Sequence, residues 1–429
     1  MIARWLYSLC LYLLTPVAML YLLKRARRQP DYRQHWDERW ARYDTPRPAD
    51  GEAPIWLHAA SVGETRAALP LVRALRERHP GRRFLITCIT PTGRATAREL
   101  LGDAVEIVYL PYDYPDAVAR FLARYRPEFG LVLETEVWPN LIAACRRRHL
   151  PLFLVNARLS DKSFRGYSRL RPLMSPAFAG FAGILAQHQE DADRLTRLGA
   201  RDVVVTGNLK FDNVPPADVV QRGYDWRRAL GDRPVLLLAS SRDGEEALWL
   251  EALARQTLPE NLLLVIVPRH PQRFDQVATL LAERGLPTVR RSGWNGHTLD
   301  PATRVVLGDS MGEMAAWYAL ADVAVMGGSL LEFGCQNLIE ACAVGTPVLV
   351  GPSTFNFAEV VRAALEVNAA WQGKDVDAVA ARALRLLRDA TRRGRMRAAG
   401  LAFAGIHRGA TQRVLAVLES RLGTEQPGR

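Results

Sequence analysis

Ala59-Ala60-Ser61-Val62-Gly63-Glu64 stands between a short apolar stretch, 54–58, and an amphipathic pattern over 65–79. A strand that gives way to a helix through a tight loop is the repeating step of an open α/β sheet. The carboxyl edge of such a sheet is where ligands bind. Glu64 therefore puts a carboxylate at a binding edge. Outward from this loop the same step recurs, with strands expected at 55–58, 84–90, 106–110, 129–134, 152–156, 183–186 and 203–207. Helical patterns such as 115–125 and 140–149 separate them. That alternation predicts a parallel, doubly wound α/β sheet. The pattern lapses over 210–234, where Asn213-Val214-Pro215-Pro216 suggests a linker. It resumes with strands at 235–239, 262–267, 305–307, 323–326 and 348–350, and 376–422 reads as helical and arginine-rich. Two Rossmann-like lobes with a cleft between them are expected.

Size and charge agree. A chain of 429 residues, 48% hydrophobic and 24% charged, is too long for one core and suits two domains. A net charge of +12 points to an anionic partner: nucleic acid, acidic lipid or a phosphorylated substrate. Cys10, Cys88, Cys145, Cys335 and Cys342 are scattered, with no C-x-x-C, which argues against zinc and a disulfide framework and fits a cytosolic body.

Residues 5–23 carry no charge. At 1.5 Å per residue they span about 28 Å, close to the ~30 Å of a bilayer core. Lys24-Arg25-Ala26-Arg27-Arg28 follows, which by the positive-inside rule puts the downstream chain in the cytoplasm. A cleaved signal peptide would want its basic residues before the apolar run and a small-x-small site after it. Pro16 and the short length leave room for a helix dipping into one leaflet. Next come Tyr32, Trp36, Trp40 and Tyr43, one aromatic helical face amid Arg33, Arg39 and Arg42. Such a helix lies in the headgroup layer or packs on the first lobe. Either way the basic stretch sits beside a membrane, which weakens the nucleic-acid explanation of the charge.

Each motif has a structural reading beside a chemical one. Ser61 and Glu64 match a capping box. Gly63 allows close approach of a backbone or ligand, and a carboxylate near a helix N-terminus stays ionised, as a general base must. Glu134-Thr135-Glu136-Val137-Trp138-Pro139-Asn140 closes another strand at the same edge, its two acids sharing a side or merely solvated. Lys210, just after the last strand of this half, overhangs the cleft or is a surface charge. Pro268-Arg269 ends an apolar run, so Arg269 grips a phosphate or is an isolated surface arginine. Gly308-Asp309-Ser310-Met311-Gly312-Glu313-Met314 opens a helix at 315–320. Gly327-Gly328-Ser329, with Gly334 and Asn337-Leu338-Ile339-Glu340, reads as a phosphate cradle in which Glu340 takes ribose hydroxyls. Asn337 and Glu340 also fit a capping box. The aspartate pairs at 191/193 and 375/377 fall in helical patterns, where residues two apart do not face each other, and read as solvated charges.

Together these segments make the chain resemble the 3-deoxy-D-manno-octulosonic acid (Kdo) transferases of lipopolysaccharide synthesis, membrane-associated glycosyltransferases of the GT-B fold. The resemblance runs from the anchor to Asn368. It rests on His58-Ala-Ala-Ser-Val-Gly-Glu64, Glu134-Thr-Glu-Val-Trp-Pro-Asn140, Asn156-Ala-Arg-Leu-Ser160, Gly207-Asn-Leu-Lys-Phe-Asp212, Pro268-Arg-His-Pro271, Gly308-Asp-Ser-Met-Gly-Glu313, Gly327-Gly-Ser329 and Asn356-Phe357, in order. It implies that Glu64 is the general base and that Glu134 and Lys210 stabilise the transition state. It implies further that CMP is held by Pro268, Arg269, Gly312, Glu313, Met314, Asn337, Leu338, Ile339 and Glu340. Ser61, Gly63, Gly328 and Ser329 are further candidates. The implied donor is CMP-Kdo and the acceptor the 6′-hydroxyl of lipid IVA, with inversion and with no metal or cofactor. The implied setting is the anionic surface of the cell inner membrane on its cytoplasmic side, with no nucleic acid involved.

The expected division is an anchor and basic flank at 1–30, an acceptor lobe at 31–212, a linker at 213–233, a CMP-Kdo lobe at 234–395 and a helix with a basic tail at 396–429. The chain departs from the family pattern at Gly334-Cys-Gln-Asn-Leu-Ile-Glu340, where Gly-Gly-His-Asn-Pro-Leu-Glu is usual, and at Arg242, where histidine is common. Gln336 can hydrogen-bond but carries no charge, and Leu338 replaces a helix-starting proline. Two rival readings are a GT-B sugar-nucleotide epimerase, which needs no anchor, and a non-catalytic membrane-anchored binding protein, which needs no carboxylates at strand ends.

Overall fold

The computed structural model describes residues 2–43 and 53–423. They form two compact units, 1–213 with 408–429 and 214–407. In the first, β1 (Ile55–His58), β2 (Phe84–Cys88), β3 (Glu106–Tyr109), β4 (Phe129–Leu133), β5 (Leu152–Ala157), β6 (Gly183–Ala186) and β7 (Val203–Val205) form one parallel sheet in the order β3-β2-β1-β4-β5-β6-β7. Most of these strands are buried along their length, which is why they read as apolar runs rather than alternating patterns. The winding reverses between β1 and β4. The loops leaving those two strands, which carry Glu64 and Glu134, therefore flank the position where an open sheet forms its crevice.

The second unit repeats the plan with β8 (Val235–Ser241), β9 (Leu263–Pro268), β10 (Thr288–Arg290), β11 (Val305–Leu307), β12 (Val323–Met326), β13 (Val348–Val350) and β14 (Ala370–Gln372) in the order β10-β11-β9-β8-β12-β13-β14. The edge strands β10 and β14 were not expected. Each has only three residues, too few to show a period.

The expected linker is instead a helix of this unit, Ala217–Leu230. Its Trp226 is buried against Trp294 and Trp317, with ring centroids 5.3 and 4.7 Å away. Gly223 lets the helix press on Met314–Leu320, since a Cβ there would lie 2.2 Å from the Ala316 carbonyl oxygen.

The C-terminal region also differs. Val376–Arg388 and Ala390–Ile406 stay with the second unit, whereas Ala410–Leu422 returns to the first and buries Val414, Leu415 and Leu418 in a core with Leu71 and Leu75. Asp212 fixes that return by accepting from the amides of Gly409, at 2.7 Å, and Thr411.

The aromatic stretch after the N-terminal helix Ile2–Arg28 is not one helical face. It forms two 3-10 turns, Pro30–Arg33 and Trp36–Trp40, and the left-handed φ of 52° at His35 breaks the periodicity. The side chains pack inward: Trp40 stacks on Tyr114 at 5.1 Å, and Tyr43 meets Tyr125 edge-on at 5.3 Å. Arg39 is buried, donating to the Ile89 carbonyl oxygen at 2.8 Å with its guanidinium over Tyr109.

Candidate active site

Helix Val62–Arg78 begins with the reciprocal cap that its sequence announces. Ser61 Oγ accepts from the Glu64 amide at 3.3 Å, and the Glu64 carboxylate accepts from the Ala60 amide at 2.8 Å and the Ser61 hydroxyl at 3.0 Å. The cap fixes the carboxylate at the crevice side of β1. Its ionisation departs from expectation. Burial first and the neighbouring Glu134 second push its carboxyl up to about 7, against the Ala60 hydrogen bond. Desolvation and a like charge outweigh the helix N-terminus.

Glu134 leaves β4 with a left-handed φ of 57°, a conformation that costs a glutamate energy and that clusters at functional sites. Its side chain is buried between two cations: Oε1 is 3.0 Å from Lys210 Nζ and Oε2 is 3.4 Å from Arg158 Nε. Lys210 is held by a chain of amides. Buried Asn156 accepts from the Leu209 amide at 3.0 Å, Asn208 accepts from the Lys210 amide at 2.9 Å, and Gln187 accepts from Asn208 at 2.9 Å while donating to the Asn156 carbonyl at 2.8 Å. Three expected residues, Glu64, Glu134 and Lys210, are thus brought together in the first unit. Gly63, beside the cap, is exposed, and a Cβ there would meet only Ser61 Oγ, at 3.9 Å.

Sequence reasoning gave no role to Arg158 or His58, and weighed Glu136 only as an acid sharing a side with Glu134 or solvated. His58 is fully buried, its Nδ1 is 3.0 Å from the Thr87 carbonyl oxygen, and its Nε2 lies 3.8 Å from Glu136 Oε2. The charges of Glu136 and His58 both act on Glu64. Asp191, read as solvated, is buried and accepts from the Leu159 amide at 2.8 Å, while Asp375 caps Val376–Arg388. Among the described residues no group of three or more His, Cys, Asp or Glu is placed to hold a metal ion.

In the second unit the expected donor residues follow the carboxyl ends of β9, β11 and β12, on either side of the matching reversal between β8 and β12. Arg269 follows Pro268 at the end of β9 and is anchored by its amide to the Ser241 carbonyl at 2.9 Å. His270 lies 3.0 Å from Arg242, and burial together with Arg242, Arg269 and Arg273 makes it harder to protonate. This is a cationic edge.

Part of the glycine loop read as a phosphate cradle is filled from within. The buried carboxylate of Glu245 accepts from the loop amides of Gly328 at 2.6 Å, Leu330 at 2.9 Å and Leu331 at 3.3 Å, and from that of Arg242, after β8, at 2.7 Å. Ser329 is likewise buried, donating to the Met326 carbonyl and accepting from the Gly351 amide.

Glu313 is neutralised by Arg291 at 2.8 Å and Arg222 at 3.0 Å, which with Ser310 hold its carboxyl below the usual range despite partial burial. Gly312, at φ 79°, and Met314 flank it at the helix start. Asn337 Oδ1 accepts from the Ile339 amide at 3.0 Å, and its Nδ2 donates to Glu340 at 3.3 Å, so both side chains are tied down at the start of the helix Ile339–Val344, whose N-cap is Leu338. The side chains of Leu338 and Ile339 are buried, which leaves only their backbone for a ligand.

Comparison with known proteins agrees with this geometry. The model of the family "3-Deoxy-D-manno-octulosonic-acid transferase (kdotransferase)" matches residues 34–213, and that of "Glycosyl transferases group 1" matches residues 296–402. A 3-deoxy-D-manno-octulosonic acid transferase of Bordetella pertussis is 45% identical over 433 residues, covering 98% of this chain and 100% of that one. The chain belongs to the Kdo transferase family. A second member, from Haemophilus influenzae, is 36% identical over 98% of this chain and 99% of its own length. Among solved structures, a putative UDP-N-acetylglucosamine 2-epimerase from Listeria monocytogenes superposes with a TM-score of 0.56 at 16% identity, covering 88% of this chain and 98% of that one. That likeness is one of fold alone, the GT-B-like pairing of two parallel sheets. A Kdo transferase is a glycosyltransferase, so the readings as an epimerase and as a non-catalytic binding protein fall away.

Proposed function

We propose that this enzyme transfers Kdo from CMP-Kdo to the 6′-hydroxyl of lipid IVA with inversion, and that Glu64 is the general base. The observation that carries the reading is a carboxylate at the β1–β4 crevice whose affinity for a proton has been raised to the operating range. A base of this strength is suited to take a proton from an alcohol as it attacks, because general-base catalysis is most effective when the pKa lies near the working pH. The hydroxyl oxygen attacks the anomeric carbon of Kdo, its proton goes to Glu64, and the bond to the CMP phosphate breaks on the opposite face.

Lys210 and Arg158 provide positive charge at Glu134, and Kdo brings a carboxylate of its own that Lys210 would meet. Preorganised charge of this kind contributes roughly 3–4 kcal/mol per donor. Arg269, supported by the Arg242–His270 edge, would take the phosphate of CMP. Gly312, Glu313, Met314 and the Asn337–Glu340 segment would contribute mainly backbone groups, since Glu313 and Asn337 are paired within the protein.

The acceptor's acyl chains give the N-terminal helix its purpose. Ile2–Arg28 exposes Trp5, Leu6, Leu9, Leu13 and Leu20, an apolar surface that would attach the first unit to the cytoplasmic side of the inner membrane. The test is CMP release from CMP-Kdo by the full-length enzyme with detergent-dispersed lipid IVA, with the product mass read in parallel. Kdo-bearing lipid with stoichiometric CMP is expected. Folded protein that releases no CMP would remove the assignment.

A further inference from the structure

The helix Ile2–Arg28 is docked along the first unit by polar side chains. Ser8 and Asn140 exchange hydrogen bonds at 2.9 and 3.2 Å, the Tyr12 hydroxyl donates to Asp116 at 2.6 Å, and the hydroxyls of Thr15 and Tyr114 are 2.7 Å apart. Positions 8, 12 and 15 share one stripe of a helix. Away from that stripe the helix is bare: Trp5, Leu6, Leu9, Leu13 and Leu20 are 55–69% exposed, and from Pro16 to Tyr21 every position is exposed. If residues 5–23 crossed the hydrocarbon while so docked, the Asp116–Arg120 pair on Tyr12 would be drawn in with them. Charges at that depth are costly and rare. A helix docked by polar groups over its first half, with the rest of its surface apolar and bare, instead fits a seat in the interface plane in which the first unit supplies the polar side.

Beneath the start of this helix is a cavity of about 460 Å³. Ile142, Leu173 and Pro176 give it an apolar lining, and Arg4, Arg146 and Arg147 stand at it. Arg146 and Arg147 are exposed, and none of the three forms an ion pair among the described residues. Small-ligand sites are apolar concavities of roughly 300–1,000 Å³ with a few convergent polar groups. Three cations on an apolar trough, of which only Arg4 feels a nearby acid, Asp113, complement an amphiphile with an anionic head next to an apolar helix face.

We propose that the first unit seats in a single leaflet, with Ile2–Arg28 in the membrane plane and the cavity holding an acyl chain of an anionic phospholipid whose phosphate rests on Arg4, Arg146 and Arg147. This rests on the membrane attachment proposed above.

The test uses full-length protein on phosphatidylcholine vesicles with and without phosphatidylglycerol. Cys10 is exposed and the other four cysteines are buried, so a Cys10→Ser background accepts single spin labels at Leu6→Cys, Leu13→Cys and Leu20→Cys. The three positions share a helical face, and one common shallow depth is expected. A helix crossing the bilayer would set position 13 about 10 Å deeper than positions 6 and 20, which would overturn the in-plane seat. Combined Arg4→Ala, Arg146→Ala and Arg147→Ala substitution is expected to weaken binding to the phosphatidylglycerol vesicles on the order of 100-fold while sparing phosphatidylcholine vesicles. An unchanged preference for phosphatidylglycerol would overturn the phosphate site. Wild-type protein that floats with neither vesicle would remove membrane attachment itself, a separate failure.

Discussion

Glu134 Oε1 lies 3.0 Å from Lys210 Nζ, so a lysine from the turn after β7 neutralises an acid at the end of β4, across the sheet. The pair has a consequence for a third residue. Glu134 is near enough for its charge to raise the Glu64 carboxyl, second only to burial. The proton affinity of the base is therefore set by burial first and by its neighbour second, against its own helix cap.

The pH dependence of the reaction follows. Glu64 must be ionised to accept a proton, and its carboxyl is held at about 7 instead of 4.5. Below that value kcat/KM is expected to fall by about tenfold per pH unit, and above it to level off. A CMP-release profile measured from acid to mildly alkaline pH checks this, and activity already flat down to pH 5 would contradict it.

Substitution Glu134→Gln removes the like charge while keeping the side-chain shape. The acid limb should then move to lower pH, because Glu134 is among the causes that raise Glu64. The turnover number should drop as well, by roughly 10- to 100-fold, if the pair stabilises the transition state. The displaced limb is the discriminating readout, since a purely structural role for Glu134 would leave it in place.

How much of this was legible without coordinates depends on the range of the interaction. The strands from β1 to β9 stand out because most of them are buried along their length, so their residues form apolar runs. Ala217–Leu230 was obscured by Pro215-Pro216, although Val220, Gly223, Trp226 and Leu230 keep a helical spacing that could have revealed it. The cap at Ser61 and Glu64 is local and readable, but the ionisation of Glu64 depends on Glu134, which only the fold brings near. The glycine loop shows the same limit. Gly327 and Gly328 announce a tight backbone, while the group that fills it, Glu245, lies 83 residues earlier.

Glu245→Ala should destabilise the second unit, because it strips the acceptor from four backbone amides. With roughly 1–3 kcal/mol for each buried donor left unsatisfied and some relief from entering water, a loss of about 2–5 kcal/mol is expected in thermal or urea unfolding. Glu245→Gln, which keeps one acceptor oxygen, should lose less. Full stability of Glu245→Ala would mean that those amides are open to an external anion after all.

Arg269→Ala should weaken CMP affinity, measured by calorimetry, because a charge-assisted hydrogen bond is worth roughly 1.5–3 kcal/mol, or about 10- to 150-fold. The backbone anchor of Arg269 to Ser241 survives the substitution, so the strand end keeps its place.

The most direct test is Glu64→Gln. Glutamine keeps the oxygen that accepts from the Ala60 amide and cannot take a proton. Ionising a carboxyl that has been raised from 4.5 to about 7 costs the fold about 3 kcal/mol once the pH passes 7, and the amide removes that cost. The variant should therefore be at least as stable as wild type at pH 8 and bind CMP unchanged, while CMP release with lipid IVA falls by about 100-fold or more, general-base effects being roughly 10²–10⁴. A folded Glu64→Gln enzyme that keeps near-full turnover would contradict the account.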